Sequence, residues 1–509
     1  MKKIYICMLH LFLLCVLNAC SDFDAINTNP DTPTSATAAM LATKQIKDMV
    51  SKSDNKSYFY DMMVSKHIAW GELMENDQYN RFDRADLSLY TGLTNCFKMV
   101  ELAADVDKEA YQGLALFIKA FRLFNKSLEL GDIPYSEALK GEEGVINPKY
   151  DTQKEVMLNV LNDLEAAYTH FSNAGRAFDG DIIYDGDPEK WKKAITAQQL
   201  KVLINLSKKE ADADLNIKQR FAKLVGERTL FASNNDNLQL VYGTKASQIY
   251  PTHETKNRFI PYPMVTTTVI DTLKKYNDYR LFYYAQPATA KTESGVAADD
   301  WDAYVGIDPS LAFDVIGSFF TTGSLSNINL RYTQIETGQP TIRLGYAEQN
   351  FILAEACLRK WIDGDPASYY LKGIEAGMKF TADNTPNEET WHHGRPITAE
   401  YIQSFLAGQE IQLSSSESAF ESNLNKIITQ KYLNNFMHYT YDNYYEYRRT
   451  GYPKLPINPA TNLNTMPDRM PVRWMYEQRE YDFNKENVEE AVQRQFGGND
   501  DVNELMWIL

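Results

Sequence analysis

The sequence predicts a mostly α-helical protein of stacked helical hairpins, with a loop-rich region and minor β strands laid on them. Three observations lead there. Apolar residues recur at helical spacing in several separate stretches, and Asp-Pro pairs open two of those stretches. Between about 229 and 345 the texture changes to Thr, Ser, Gly, Tyr and Pro.

The N-terminus comes first and stands apart from the fold. Lys2 and Lys3 precede an apolar run from Ile4 through Leu17, and Leu17-Asn18-Ala19-Cys20 ends it with small residues before a cysteine. A charged start, a short apolar core and a small-residue cut site describe a signal peptide over 1–19. A spanning helix needs about 20 apolar residues, and this run is shorter. Leu-x-Ala-Cys resembles the bacterial lipobox, so Cys20 is expected to carry lipid; ordinary secretion without lipid is the alternative. One acyl chain anchors only marginally, so stable attachment implies more than one. Residues 20–38, rich in Asn, Asp, Thr and Pro, read as a flexible tether spanning roughly 25 Å. The body then runs over 39–509.

In the body, Leu114, Phe117, Ile118, Phe121, Phe124 and Leu128 form one apolar stripe, and Gly131 is placed to cap it. Met157, Val160, Leu161, Leu164 and Phe171 form a second. Asp187-Pro188 opens a helix carrying Trp191, Ile195, Leu200 and Ile204. Ala347, Phe351, Ala354, Cys357 and Leu358 trace another, and Asp365-Pro366 opens the next through Tyr369, Gly373 and Met378. Small residues such as Ala354, Gly373 and Gly377 suit close helix pairs of repeat type. In the loop-rich region, 238–242 and 341–344 are the β-prone pieces. Long loops on a rigid frame are where binding residues concentrate.

Charge and cysteines exclude several classes. The formal charge is −16, and the signal segment takes two lysines and no acids with it. Such a balance argues against nucleic acid and against adhesion to anionic lipid through protein charge. Only Cys96 and Cys357 remain in the body, too few for a disulfide scaffold, and whether they pair is open.

Catalytic patterns are thin, and no catalytic residue, metal or cofactor is expected. There is no His-Glu-x-x-His, Gly-x-Ser-x-Gly or phosphate-cradling loop. His392-His393 is adjacent and reads as a solvated turn. Asp179, Asp181, Asp185 and Asp187 invite a calcium reading, but Ile183 occupies the third ligand position of an EF-hand order.

Several phrases in order resemble one family. They are Gly131-Asp132-Ile133-Pro134-Tyr135-Ser136-Glu137-Ala138-Leu139, the Trp191 helix, Tyr346 through Ala356, Gln430 through Pro453, and Met470-Pro471-Val472-Arg473 followed by Glu480 and Asn487. With the lipobox in front, the chain resembles SusD/RagB-type nutrient-binding outer-membrane lipoproteins of Bacteroidetes-type bacteria. The resemblance implies tetratricopeptide-like helix pairs around a variable loop region. It also implies a lipoprotein on the outer face of the outer membrane, with Asp22 and Asp24 as a surface-export signal. The partner would be a TonB-dependent, SusC-like transporter, and the cargo a glycan or a peptide. The phrases themselves read as fold marks: Arg448-Arg449 as caps and packing, Glu348 and Glu355 as partners of arginines, and 131–135 as a turn ending a hairpin.

A ligand surface is expected to be aromatic, because sugars offer apolar C–H faces and hydroxyl edges. The chain holds 7 Trp, 32 Tyr and 24 Phe, most of them in helical stripes and therefore core. Outside the strong stripes stand Trp70, Tyr79 and Arg81, and Trp301 and Tyr304 in the loop region. Packing is the commoner fate of each; as a group they are the candidate pocket. A surface hydrolase and a helical-repeat scaffold for protein contacts are the competing functional readings.

Overall fold

The computed structural model describes residues 36–509. The signal segment 1–19, Cys20 with its expected lipid, and most of the tether lie outside the described residues. Among the described residues, twelve helices of ten residues or more carry the architecture. The first six are α1 (Ala38–Val50), α2 (Leu89–Glu101), α3 (Lys108–Leu130), α4 (Gln153–Asn173), α5 (Pro188–Asn205) and α6 (Ile217–Glu227). After α7 (Thr267–Tyr276) come α8 (Tyr346–Leu358), α9 (Pro366–Asp383), α10 (Phe420–Asn434), α11 (Tyr441–Thr450) and α12 (Lys485–Phe496). No helix among the described residues is long and apolar enough to cross a membrane.

Consecutive helices pack on one another from α1 to α6, and the expected hairpins are present. Their starts are written in the sequence. Thr152 and Glu155 form a reciprocal capping box on α4, while Asp187 and Asp365 cap α5 and α9 ahead of a first-turn proline. Close approach is set by small residues. A Cβ on Gly113 would stand 2.8 Å from the Phe171 ring, and one on Gly373 would stand 2.7 Å from the Phe351 ring. So α3 lies tight on α4, and α9 on α8.

Helix α8 is the hub, touching α5, α9 and α10. Its carboxylates enter a buried ionic network. Glu355 pairs with Arg449 and with Arg359, as expected of it. Glu348 instead pairs with two lysines, Lys201 at 3.1 Å and Lys431 at 3.3 Å, because α5 and α10 bring ammonium groups to that face. Arg448 donates to the carbonyls of Val472 and Leu128, stitching α11 to the last turn of α3. At that turn Gly131 adopts φ +93°, and Asp132 accepts from the Gln153 N–H and from Arg494 of α12. The phrase at 131–135 thus joins α3, α4 and the C-terminal helix.

Four short strands form two antiparallel pairs: β1 (Ile68–Trp70) with β3 (Pro263–Val265), and β2 (Leu238–Leu240) with β4 (Thr341–Leu344). The two β-prone pieces read from the sequence pair with each other. β1 and β3 escaped notice because three residues carry no alternation.

Cys96 and Cys357 are both buried and free. The Asp181 carboxylate accepts the backbone N–H groups of Ile183, Tyr184 and Gly186 and the Trp191 indole N–H, so it anchors a turn. His392 is buried rather than solvated, and His393 ends its short helix at φ +49°. Among the described residues no group of three His, Cys, Asp or Glu side chains is placed to hold a metal.

Candidate functional site

Segments of the loop-rich region are tied to one another by isolated strand-like bridges. Beyond the β1–β3 pair, Met264 bridges Asn327, Thr266 bridges Ile307, and Ala285 bridges Ile328. The backbone bonds are firm: Val265 N–H to Ser326 O at 2.8 Å and Gln286 N–H to Asn327 O at 2.9 Å. These contacts lay three segments side by side, around 260–264, 286–289 and 320–334.

Between them opens a cleft of about 400 Å³. Its apolar lining includes Met264 and Phe320, and its polar lining includes Glu254, Gln286, Asn327 and Gln334. The Gln286 Nε2 atom is buried with no hydrogen-bond partner, and the Asn327 amide reaches only the Pro261 carbonyl, at 3.4 Å. Amide groups left with spare capacity beside an aromatic ring suit a ligand with hydroxyl or amide edges and apolar faces. Among the described residues, neither Lys nor Arg lines the cleft, and Glu254 is the one charged group there. A separate narrow pocket of about 30 Å³ lies beside Lys431 and Asp442. It is the size of a water, not of a nutrient.

The residues expected to form the pocket do not converge on it. Trp70 sits on β1 with no exposure, so it belongs to the core and not to a ligand-facing surface. It nonetheless backs the cleft: its ring packs on Tyr262 at 5.6 Å, and Tyr262 packs on Phe320 at 5.9 Å. Tyr79 is buried and donates its hydroxyl to the Leu311 carbonyl, tying the 71–81 loop to the loop region. Arg81 is exposed, with Asp83 3.9 Å away. Tyr304 is fully buried and donates to the Ala298 carbonyl. Trp301 is half-buried in a second aromatic cluster, 4.8 Å from Phe282 and 6.1 Å from Tyr279. Tyr279 in turn stacks on Tyr401 at 3.8 Å. None of the five lines the cleft, which lies within the loop-rich region. Gln286 and Asn327 are ordinary loop amides until the bridges at Ala285, Met264 and Ile328 bring them together.

Comparison with known proteins fits this architecture. Residues 30–477 match the SusD-like family described as starch-binding and associating with the outer membrane. The chain is similar to the crystal structure of a SusD homologue from Bacteroides fragilis NCTC 9343, with 55% identity and a TM-score of 0.90 over 93% of this chain and 100% of that one. It is similar to a second SusD homologue from the same strain, with 31% identity and a TM-score of 0.81 over 93% and 99%. A chitin-binding protein shares the fold, at 23% identity and a TM-score of 0.71 over 92% and 99%. Among curated proteins, none matches the chain.

Proposed function

This chain belongs to the SusD-like family of outer-membrane-associated nutrient-binding proteins, and on that premise we propose that it is a surface lipoprotein that captures a glycan and delivers it to a partner transporter. Lipid on Cys20 holds it to the membrane, the tether 20–38 keeps the body close above it, and the body faces outward. The transporter is of the TonB-dependent, SusC-like type. The cargo class is oligosaccharide ahead of peptide.

The observation that carries this reading is the cleft of about 400 Å³ with unsatisfied amide groups beside Phe320. A sugar ring lays its C–H face on the phenyl ring while its hydroxyls meet Gln286, Asn327 and Glu254. Trp301 and Arg81, which retain exposure, are candidate contacts for the outer units of a longer chain. The single carboxylate among the lining residues favours binding over hydrolysis, because glycoside hydrolysis uses two carboxyl groups flanking the bond.

The test is calorimetric titration of the purified body with panels of oligosaccharides and of short peptides, followed by chain-length analysis of whatever binds. Binding of an oligosaccharide that emerges uncut supports the reading. Binding of peptides alone reassigns the cargo, and shortening of the glycan contradicts the reading.

A further inference from the structure

A second groove, sharing no lining residue with the cleft of the loop region, has the character of a protein-docking surface. It has a volume of about 340 Å³ and runs between the loop 134–148 and the helical segment 477–484. Two of its lining residues, Ile146 and Phe483, are 84% and 71% exposed, the two largest values for large apolar side chains among the described residues. Leaving both in water is unfavourable by their buried-area worth unless something covers them.

The walls are built and tied together. The Asn484 side chain donates to the Pro148 carbonyl, Asn487 donates to the Asn147 carbonyl, and the Tyr150 hydroxyl donates to Glu480 at 2.7 Å. The floor is fixed by the Tyr90 hydroxyl, which donates to the Pro134 carbonyl. Such a groove offers a preformed surface and spares a partner the ordering cost of a loose one.

Charge selects the partner. Segments 137–149 and 477–490, which form and flank the two walls, hold nine acids against four bases. Glu137, Glu477 and Glu480 line the groove itself, against Arg479. A surface of that sign repels an anionic membrane and attracts cations. We propose that this groove docks a basic, amphipathic segment of a partner protein, whose apolar side chains cover Ile146 and Phe483 while its lysines or arginines meet the acidic rim. Helix-in-groove recognition of this kind uses a few apolar anchors inside a charged border.

The probe is a fluorescent amphipathic peptide of leucine and lysine, titrated by anisotropy into the whole body. A peptide of the same pattern with glutamate for lysine and vesicles containing phosphatidylglycerol serve as controls. The doubly substituted Ile146→Ser/Phe483→Ser protein is expected to bind the lysine peptide about tenfold more weakly at unchanged melting temperature. Glu477→Gln is expected to weaken it less, and added salt to erase that difference. Equal binding of the lysine peptide by the double variant would mean general attraction to an acidic protein, and overturns the proposal. Equal binding of the glutamate peptide, or of the vesicles, through the same residues overturns it as well, and so does no binding of the lysine peptide.

Discussion

Arg449 on α11 grips Glu355 on α8 with both arms of its guanidinium, Nη1 to Oε1 at 2.5 Å and Nη2 to Oε2 at 2.7 Å, and both side chains are almost wholly buried. The pair is one link in a longer chain of charge. Arg449 also binds Glu446, which accepts from Lys431, and Lys431 and Lys201 share Glu348. Burial alone would raise the Glu446 carboxyl, but Arg449 and Lys431 outweigh it and hold it down at about 2. Four helices meet at this network.

Replacing Arg449 by Met should therefore cost about 3–5 kcal/mol, because Glu355 and Glu446 each lose a buried partner. Arg449→Lys should cost less, since it keeps the charge and loses only the fork. Urea denaturation measures both. A loss of about 1 kcal/mol or less for Arg449→Met, the size of a surface pair, would contradict the account.

Gly373→Ala sets two effects against each other. Alanine gains about 1 kcal/mol of helix propensity. Its Cβ would stand 2.7 Å from the Phe351 ring, and overpacking of this kind costs about 1–3 kcal/mol. Phe351 is buried in the core with little room to retreat, so a net loss is expected. A higher melting temperature would show that α8 and α9 can part at low cost.

Acid should destabilise the fold from about pH 6.5 downward. Burial depresses His67 and His438 to about 3 and His393 to about 4. Between those values and 6.5 the unfolded chain takes up protons that the folded chain refuses, so stability falls as pH falls. Three aspartates act the other way: burial raises Asp77 and Asp132 to about 6 and raises Asp271 as well, so each adds stability as pH drops toward 3.8. Burial also lowers His392, and the histidines, displaced further from their ordinary value than the aspartates, leave a net loss. Urea midpoints at pH 7, 5.5 and 4.5 read it out, and His438→Gln should flatten the slope. An unchanged slope would remove His438 from the explanation.

The helices were legible because their signals are local. Asp187-Pro188 and Asp365-Pro366 mark starts within two residues, and the Leu114–Leu128 stripe repeats every turn. The cleft was not legible, because it depends on bridges between residues such as Met264 and Asn327 that lie far apart in the chain. Trp70 and Tyr304 stood outside the strong stripes and were grouped as pocket candidates, with packing the commoner fate of each, and both are fully buried. A tryptophan flanked by polar loops gives no sign of which neighbours will cover it. Phe320, the partly buried last residue of the short helix Phe313–Phe320, lines the cleft and was not among the rings singled out from the sequence.

Cys20→Ala should release the protein from the membrane fraction and abolish incorporation of labelled fatty acid, if export proceeds. Retention in the membrane fraction with no label would mean that another contact holds it there.

The central claim is that the cleft of the loop region holds the nutrient beside Phe320. Calorimetry of Phe320→Ala with an oligosaccharide that the unaltered protein binds tests it most directly. Loss of a stacked ring should weaken affinity by about tenfold or more, roughly the worth of one aromatic contact, at an unchanged melting temperature. Affinity equal to that of the unaltered protein would place the ligand elsewhere and contradict the account.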